Sequence, residues 1–248
     1  MGTRKTLLVT GASRGIGAAV ARLAARRGYD LTLTWRGGGD GMAATVADCE
    51  DAGAAVLALP ADAGDPAAMR DVFAAMDARF GRLDAFVANA GMTGPASDFL
   101  SSTDETWESV FRVNVLGLVA ACREAARRMA TSRGGAGGGI VAISSRAAEI
   151  GSAFEWVHYA ASKGAVDTLV LGLAREMGRQ GVRVNAVAPG MIDTDIHAAI
   201  PGRVDRILPG VPMGRIGTPE EVAEAVLFLL SPASGYVTGA VLPIGGGR

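Results

Sequence analysis

Apolar residues along this chain come in two rhythms that alternate. The first is a short, nearly continuous apolar run bounded by glycine, proline or charged residues: Thr6–Thr10, Asp30–Trp35, Ala55–Leu59, Leu83–Ala88, Ile140–Ser144, Val182–Val187 and Ala240–Ile244. Runs of this length between turn signals predict buried strands. The second rhythm is helical. Gly15–Gly28 places Ile16, Val20, Leu23 and Ala24 on one face, the spacing of an amphipathic helix. Gly37-Gly38-Gly39 breaks the chain after the second strand, and a helix through about Asp51 follows. Asp65-Pro66 reads as a helix start, with an N-cap aspartate and proline in the first turn, running to about Phe80. One long helix is predicted from about Asp104 to Ala130, and another carries Tyr159 and ends near Arg179. Thr218-Pro219-Glu220-Glu221 opens the last helix as a capping box.

Strands that alternate with helices predict an α/β fold: one doubly wound parallel sheet of seven strands, helices on both faces, in right-handed βαβ units. No internal repeat or boundary interrupts the alternation, so residues 1–248 are expected to form one domain. Ala188–Gly217 stands apart. It has little periodicity, with three prolines and two glycines between Pro201 and Pro212. Loops this long are commonly lids over a ligand or disordered.

Composition narrows the function classes. Apolar residues make up 49% of the 248 and charged residues 20%, enough for a large core. A net charge of −1 argues against a nucleic acid or an anionic membrane as partner. The longest apolar runs, such as Val115–Cys122, fall short of a membrane span, and the start of the chain lacks the apolar stretch of a signal peptide, so a soluble cytoplasmic protein is expected. Cys49 and Cys122 form no C-x-x-C, and His158 and His197 make no metal site by themselves, so no metal is expected.

Two stretches carry candidate chemistry. Thr10-Gly11-Ala12-Ser13-Arg14-Gly15-Ile16-Gly17 follows a strand and opens a helix. Glycines there let the backbone approach a pyrophosphate whose charge rests on the helix N-terminus. The spacing is G-x-x-x-G-x-G, not G-x-G-x-x-G. An NAD site would place an acid at the end of the second strand to hold the ribose 2′-OH; here the strand ends Thr34-Trp35-Arg36. Arg14 and Arg36 could bracket a 2′-phosphate, so NADP(H) is preferred over NAD(H). The second stretch is Tyr159-Ala160-Ala161-Ser162-Lys163. Four residues apart on a helix, the phenol and the ammonium share a face. A neighbouring cation favours the phenolate and lowers the tyrosine pKa, which would suit Tyr159 to proton transfer at a carbonyl or alcohol oxygen.

Together these residues resemble the short-chain dehydrogenase/reductase family, with T-G-x-x-x-G-x-G at Thr10–Gly17 and Y-x-x-x-K at Tyr159–Lys163. Asn89-Ala90-Gly91 is similar to the last three residues of the family's N-N-A-G, with Ala88 in place of the first Asn. The resemblance spans essentially the whole chain. It implies Asn114, Ser145, Tyr159 and Lys163 as catalytic residues: Tyr159 as acid/base, Lys163 on the nicotinamide ribose, Ser145 on the substrate oxygen, and Asn114 on a water-linked proton path through Lys163. Ser144 competes with Ser145, since adjacent strand residues face opposite ways. It implies cofactor contacts from Gly11, Ser13, Arg14, Gly15, Ile16, Gly17, Arg36, Asp62 (to adenine), Asn89, Ala90, Gly91, Tyr159, Lys163, Pro189, Gly190, Ile192 and Thr194.

The activity so implied is hydride transfer between a nicotinamide and a ketone or secondary alcohol, as in 3-oxoacyl-carrier-protein reductases or in sugar and polyol dehydrogenases. A cofactor-binding sensor without turnover is the alternative class; all four catalytic candidates are present, which favours the enzyme. The expected partner is a small carbonyl or alcohol. Arg127, Arg128 and Arg133 could draw an acidic acyl-carrier protein, though a solvated basic helix end explains them as well. The resemblance also implies a homotetramer, with small residues on two pairing helices: Ala120, Ala121, Ala125 and Ala126 on one, Ala165, Gly172 and Ala174 on the other.

Overall fold

The computed structural model describes residues 4–37 and 40–248; Gly38 and Gly39 of the expected glycine break lie outside the described residues. Strands β1 (Lys5–Val9), β2 (Tyr29–Trp35), β3 (Val56–Pro60), β4 (Ala85–Ala88), β5 (Gly138–Ile143), β6 (Val182–Pro189) and β7 (Val241–Ile244) form one parallel sheet in the order β3-β2-β1-β4-β5-β6-β7. Each lies within a few residues of its expected position.

Alternation across the sheet decides which core each side chain joins. Leu7 and Val9 of β1 point to the face covered by α1 (Gly15–Arg26), α2 (Asp40–Asp51) and α9 (Pro219–Leu230), where Val20, Cys49, Val222 and Val226 are buried. Leu8 points to the other face, among Phe73 of α3 (Pro66–Phe80), Cys122 of α5 (Leu118–Met129) and Val166 of α7 (Val157–Met177). Burial of such side chains supplies roughly 1.5–3 kcal/mol apiece. Ala88, the departure from the family motif, is 4% exposed within this second core and pairs with Ala142 of β5, so the substitution is absorbed by packing.

The local signals at two helix starts are realised. The Asp65 carboxylate accepts from the Ala67 amide at 2.8 Å, and Thr218 and Glu221 form the reciprocal capping box of α9. Two expectations need correction. The single helix from Asp104 to Ala130 is instead α4 (Asp104–Phe111), a π-helical turn at Arg112–Gly117, and α5. The widened turn coincides with the tertiary bonds of Asn114 described below, which no propensity records. Ala188–Gly217 is also not one irregular loop. β6 continues to Pro189, and beyond it lie 3₁₀ turns at Asp195–Ala199 and Leu208–Gly210 flanking the short α8 (Arg203–Ile207). Met191, Ile207 and Val211 give this segment its own small core.

The strand order reverses between β1 and β4. In sheets of this kind the crevice at that reversal, beyond the carboxyl ends of the strands, is where ligands bind. Gly11, Asn89, Ser144 and Gly190 all follow strand ends on that edge.

Candidate active site

The turn between β1 and α1 is built largely from missing side chains. Gly11 and Gly15 have φ of +68° and +54°, a region that favours glycine. Gly17 has ordinary φ, but a Cβ on it would lie 2.3 Å from the Gly11 carbonyl oxygen and 2.5 Å from Asn89 Nδ2. That closeness lets Asn89 stitch β4 to the turn: its Nδ2 donates to the carbonyls of Thr10 (2.8 Å) and Gly11 (2.9 Å). Thr10 Oγ1 in turn accepts from the amides of Asn89 and Ala90 at 3.1 and 3.0 Å. α1 starts without a side-chain cap or an acid in its first turn, leaving its first amides and the positive end of its dipole for an anion. These features fit a dinucleotide pyrophosphate.

Across the crevice, α7 holds Tyr159, Ser162 and Lys163. Lys163 is 3% exposed; its Nζ donates to the Ile143 carbonyl at 2.6 Å and lies 5.6 Å from the Tyr159 ring centre. Burial pushes its pKa down to about 8, opposed by Asp167. Asn114, fully buried in the π turn, is wholly engaged. Its Nδ2 donates to the Met92 carbonyl (2.8 Å) and Ser162 Oγ (3.0 Å), and its Oδ1 accepts from the Met92 amide (2.9 Å). A Cβ on Gly91 would stand 3.3 Å from Asn114 Oδ1 and 3.5 Å from Lys163 Nζ, so the two groups border one point.

The two serines lie just past β5, which ends at Ile143, and both line the cleft, but their hydroxyls have different neighbours. The Ser144 hydroxyl turns to the Lys163 carbonyl and the Asp167 carboxylate. The Ser145 hydroxyl lines the cleft beside Tyr159, near enough to lower the phenol's pKa, while its Oγ accepts from the Ala147 amide at 3.1 Å. The expectation that Tyr159 has a lowered pKa does not hold in this state. Burial raises it, and the Ser145 hydroxyl and the charge of Arg203 offset that only in part. Lys163 turns its ammonium to a backbone carbonyl, not to the phenol.

The expected cofactor-selecting groups lie at the same edge but not all are free. Arg14 pairs with Asp195 at 2.5 Å, both largely exposed, so it is not poised as an open guanidinium. Arg36 is exposed just past β2, and its charge reaches Asp62. Asp62 accepts from the Gly64 amide (2.8 Å) and from Arg112 (3.2 Å). Burial raises its pKa, but these bonds and the two arginines hold it below the usual carboxylate range. Thr194 packs against the glycine turn, its Cγ2 3.3 Å from where a Gly15 Cβ would be. Pro189, Gly190, Ile192, Thr194 and Ile16 line one cleft with Ser145 and Tyr159. Ser13 borders α2, its carbonyl 2.5 Å from a Cβ placed on Gly41.

The side-chain pairing that builds the far wall of that cleft was not legible in the sequence. Trp156, 2% exposed, carries the Arg203 guanidinium over its ring at 4.7 Å. Arg203 Nε donates to Glu155 at 2.9 Å, and Arg203 Nη1 to His197 Nδ1 at 2.8 Å. Arg206 also pairs with Glu155. His197 bonds to the Ile192 carbonyl through Nε2 at 2.8 Å, so the neutral ring carries its proton there. His158, by contrast, is buried and bonded to the Thr93 carbonyl at 2.7 Å, away from the cleft. No group of metal-binding residues and no helix long and apolar enough to cross a membrane occurs among the described residues.

A nucleotide-type α/β sheet, a glycine turn at its reversal point and a Ser-Tyr-Lys cluster beside it together define a nicotinamide-dependent oxidoreductase. Sequence comparison agrees: the chain belongs to the short-chain dehydrogenase/reductase family. A family model described as enoyl-(acyl carrier protein) reductase matches residues 11–248. The uncharacterized oxidoreductase YgfF of Escherichia coli is 43% identical, over 97% of this chain and 98% of its own. L-rhamnose 1-dehydrogenase (NAD(P)(+)) of a Sphingomonas species is 37% identical, over 98% and 95%. The 3-oxoacyl-[acyl-carrier-protein] reductase FabG of Chlamydia trachomatis is 36% identical, over 98% and 96%. Among solved structures, a Burkholderia cenocepacia short-chain dehydrogenase in complex with NADP superposes with a TM-score of 0.91 at 34% identity, covering 98% of this chain and 97% of the other.

Proposed function

We propose that this protein is an NADP(H)-dependent reductase of small or 3-oxoacyl-type ketones, working reversibly on the corresponding secondary alcohols. The observation that carries this reading is the meeting of Ser145 and Tyr159 in one cleft with Ile16 of the glycine turn, with Lys163 buried one helical turn on from Tyr159. The nicotinamide, when bound, supplies the hydride. The protein's part is to fix the ketone and manage one proton. Ser145 Oγ–H donates to the substrate oxygen as negative charge gathers there. Tyr159 Oη–H gives its proton to that oxygen. The phenol carries its proton at neutral pH, and burial, by raising its pKa, makes it a weaker acid until a cation is brought close. Lys163 holds the nicotinamide ribose, and a cation there brings the Tyr159 pKa back down. Asn114 ties the Met92 backbone to α7 and borders the point from which Lys163 is re-protonated.

Arg36 and, once released from Asp195, Arg14 supply charge for a 2′-phosphate. Asp62 fixes the adenine side, while Gly11, Ser13, Gly15, Ile16, Gly17, Asn89, Ala90 and Gly91 form the backbone cradle. Cytoplasmic residence and a homotetramer belong to the same reading. Ala121, Ala125, Ala126 and Ala174 face the core, so helix pairing would rest on exposed positions such as Gly172. Of the arginines that could draw an acyl-carrier protein, Arg127 pairs with Glu124 and Arg128 with Asp77 and Glu124, while Arg133 is exposed and has no ion pair among the described residues.

A second reading, oxidation of a sugar, is favoured by the hydrogen-bonding wall at Arg203 and His197 and by the rhamnose dehydrogenase likeness. The test compares kcat/KM for a 3-oxoacyl thioester, small cyclic ketones and a panel of aldoses, each with NADPH/NADP+ and NADH/NAD+. Ketone reduction with NADPH at least about tenfold better than with NADH is expected. Sugar oxidation with higher kcat/KM than any ketone reduction would overturn the reductase reading, and equal use of the two cofactors would overturn the NADP assignment.

A further inference from the structure

Arg203, the first residue of α8, has hydrogen-bonding capacity that the fold does not use. A guanidinium offers five N–H groups in a fixed plane. In Arg203, Nε is spent on Glu155 (2.9 Å) and Nη1 on His197 Nδ1 (2.8 Å) and the Met191 sulfur (3.5 Å). Nη2 has no acceptor among the described residues, although the side chain is only 11% exposed and lines the cleft. Trp156, beneath the guanidinium, lines the same wall, and its buried Nε1–H has no partner either. Buried donors left without acceptors are uncommon, because each costs the desolvation of the group. Trp156 Nε1 is fully enclosed; Nη2 of Arg203 is not, so it is the donor that a ligand in the cleft can reach.

The charge balance says which ligand. Arg203 and Arg206 share the single carboxylate of Glu155, so this bonded trio carries one more positive than negative charge, with Asp193 the other carboxylate near His197. Burial raises the Glu155 pKa, but the bonds from both arginines more than offset it, so the carboxylate stays ionised. Elsewhere on the wall Arg146 is balanced by Glu149 at 2.5 Å, and Arg14 at the mouth by Asp195. His197 is neutral by its bonding. The excess charge is held rigidly, by the Trp156 ring on one side and by Glu155 and His197 at the edges, and the charge of Arg203 is felt at the Tyr159 hydroxyl. A preformed, planar, half-used guanidinium close to the reacting oxygen suits an anionic acceptor.

We propose that Arg203 selects the substrate by donating from Nη2 to a carboxylate carried on the same molecule as the ketone, so that the protein reduces oxo-carboxylates in preference to neutral ketones. The proposal rests on the ketone-reductase reading for its chemistry, but not for its binding. Ser145 and Tyr159 hold the carbonyl end and Arg203 the carboxylate end, so the distance between them sets the length of substrate accepted. The covalent step is unchanged: the carbonyl carbon gains a hydride from the nicotinamide, its oxygen gains the Tyr159 proton, and the carboxylate stays ionised throughout.

The test uses 4-oxopentanoate, 5-oxohexanoate and 6-oxoheptanoate, each beside its methyl ester, with NADPH. For at least one chain length the acid is expected to exceed its ester in kcat/KM by about tenfold or more, the effect of one charge-assisted bond. In Arg203→Met that ratio is expected to fall to about one, and Arg203→Lys to keep part of it. Esters reduced as well as acids by the unmodified protein would overturn the proposal. So would an Arg203→Met variant that loses activity on acid and ester equally, since that is what a purely structural staple would do. Calorimetry tests the same site without turnover: pentanoate is expected to bind the NADP+-loaded protein and pentanamide not to bind. Equal binding of the two overturns the subsite even if Arg203→Met fails to fold. If pentanoate binds and no ketone in the series is reduced, the subsite stands and the reductase reading falls.

Discussion

The two walls of the cleft are made by opposite means. The wall at β1 and α1 is defined by what its residues lack: Gly11 and Gly15 take left-handed φ, and Gly17 leaves no gap between a carbonyl and the Asn89 amide. The facing walls are defined by what their residues carry: a hydroxyl pair at Ser145 and Tyr159, a buried ammonium at Lys163, and an arginine braced by Trp156, Glu155 and His197. Backbone can cradle a pyrophosphate because every residue offers the same N–H. Discriminating among carbonyl compounds needs side chains. Damage on the first wall should therefore appear as lost cofactor affinity, and damage on the second as lost turnover or altered substrate choice.

The sharpest test of that division is Tyr159→Phe. It keeps the ring and deletes the proton. Turnover is expected to fall at least roughly 100-fold, the lower range for general acid–base catalysis, while NADPH affinity measured by nucleotide fluorescence stays near that of the unmodified protein. Turnover within a few-fold of the original would remove Tyr159 from the chemistry. A large parallel loss of affinity would dissolve the distinction between the walls.

Gly17→Ala makes the converse change. The added methyl would meet the Gly11 oxygen at 2.3 Å and Asn89 Nδ2 at 2.5 Å, and the first of these is backbone that cannot rotate away. Overpacking of this kind costs roughly 1–3 kcal/mol, here spread between α1 and the Asn89 bridge. A raised KM for NADPH and a lower melting temperature are expected, with kcat at saturating cofactor much less changed. If melting temperature and KM both match the unmodified protein, the contact between α1 and Asn89 is not what shapes the cradle.

The two walls also differ in how much of them the sequence reveals. Features that depend on a few consecutive residues were legible: the Asp65 and Thr218 caps, the glycine turn, Tyr159 and Lys163 one helical turn apart, and seven strands placed to within a few residues. Features that depend on distant partners were not. The π turn at Arg112–Gly117 accompanies the bonding of Asn114 to Met92 and Ser162, partners 22 and 48 positions away. The Glu155–Arg203 pair is also 48 apart in sequence, and α8, at five residues, is too short to show a period. The expected fall in the Tyr159 pKa failed for a related reason: helix spacing puts Lys163 on the same side of α7, but burial and the Ile143 carbonyl decide where the ammonium goes.

The smallest expected effect concerns pH and the segment 191–215. His197 accepts from Arg203 through Nδ1 and bonds to the Ile192 carbonyl through Nε2. Protonation would set an N–H against the Arg203 N–H and add a cation beside a guanidinium. Burial lowers its pKa first; the Ile192 bond opposes this, Arg203 lowers it further, and Asp193 and Glu155 pull upward, with a net fall below the ordinary 6.5. The sign follows from linkage: below about pH 6.5 the unfolded or detached segment takes up the proton more readily than the docked one. The docking contribution is thus complete above that pH and is lost as pH falls through the lowered pKa. Hydrogen exchange across residues 191–215, corrected for the intrinsic pH dependence, is expected to rise a few-fold between pH 7 and pH 5. Exchange across β1 and α1, which hold no histidine, should stay flat over the same window. His197→Gln, which can still accept from Arg203 but cannot titrate, should flatten the response of this segment while leaving it docked. A response of residues 191–215 that persists in His197→Gln would place the titrating group elsewhere, with Glu155 next to be tested, since its protonation would release Arg203 and Arg206 together.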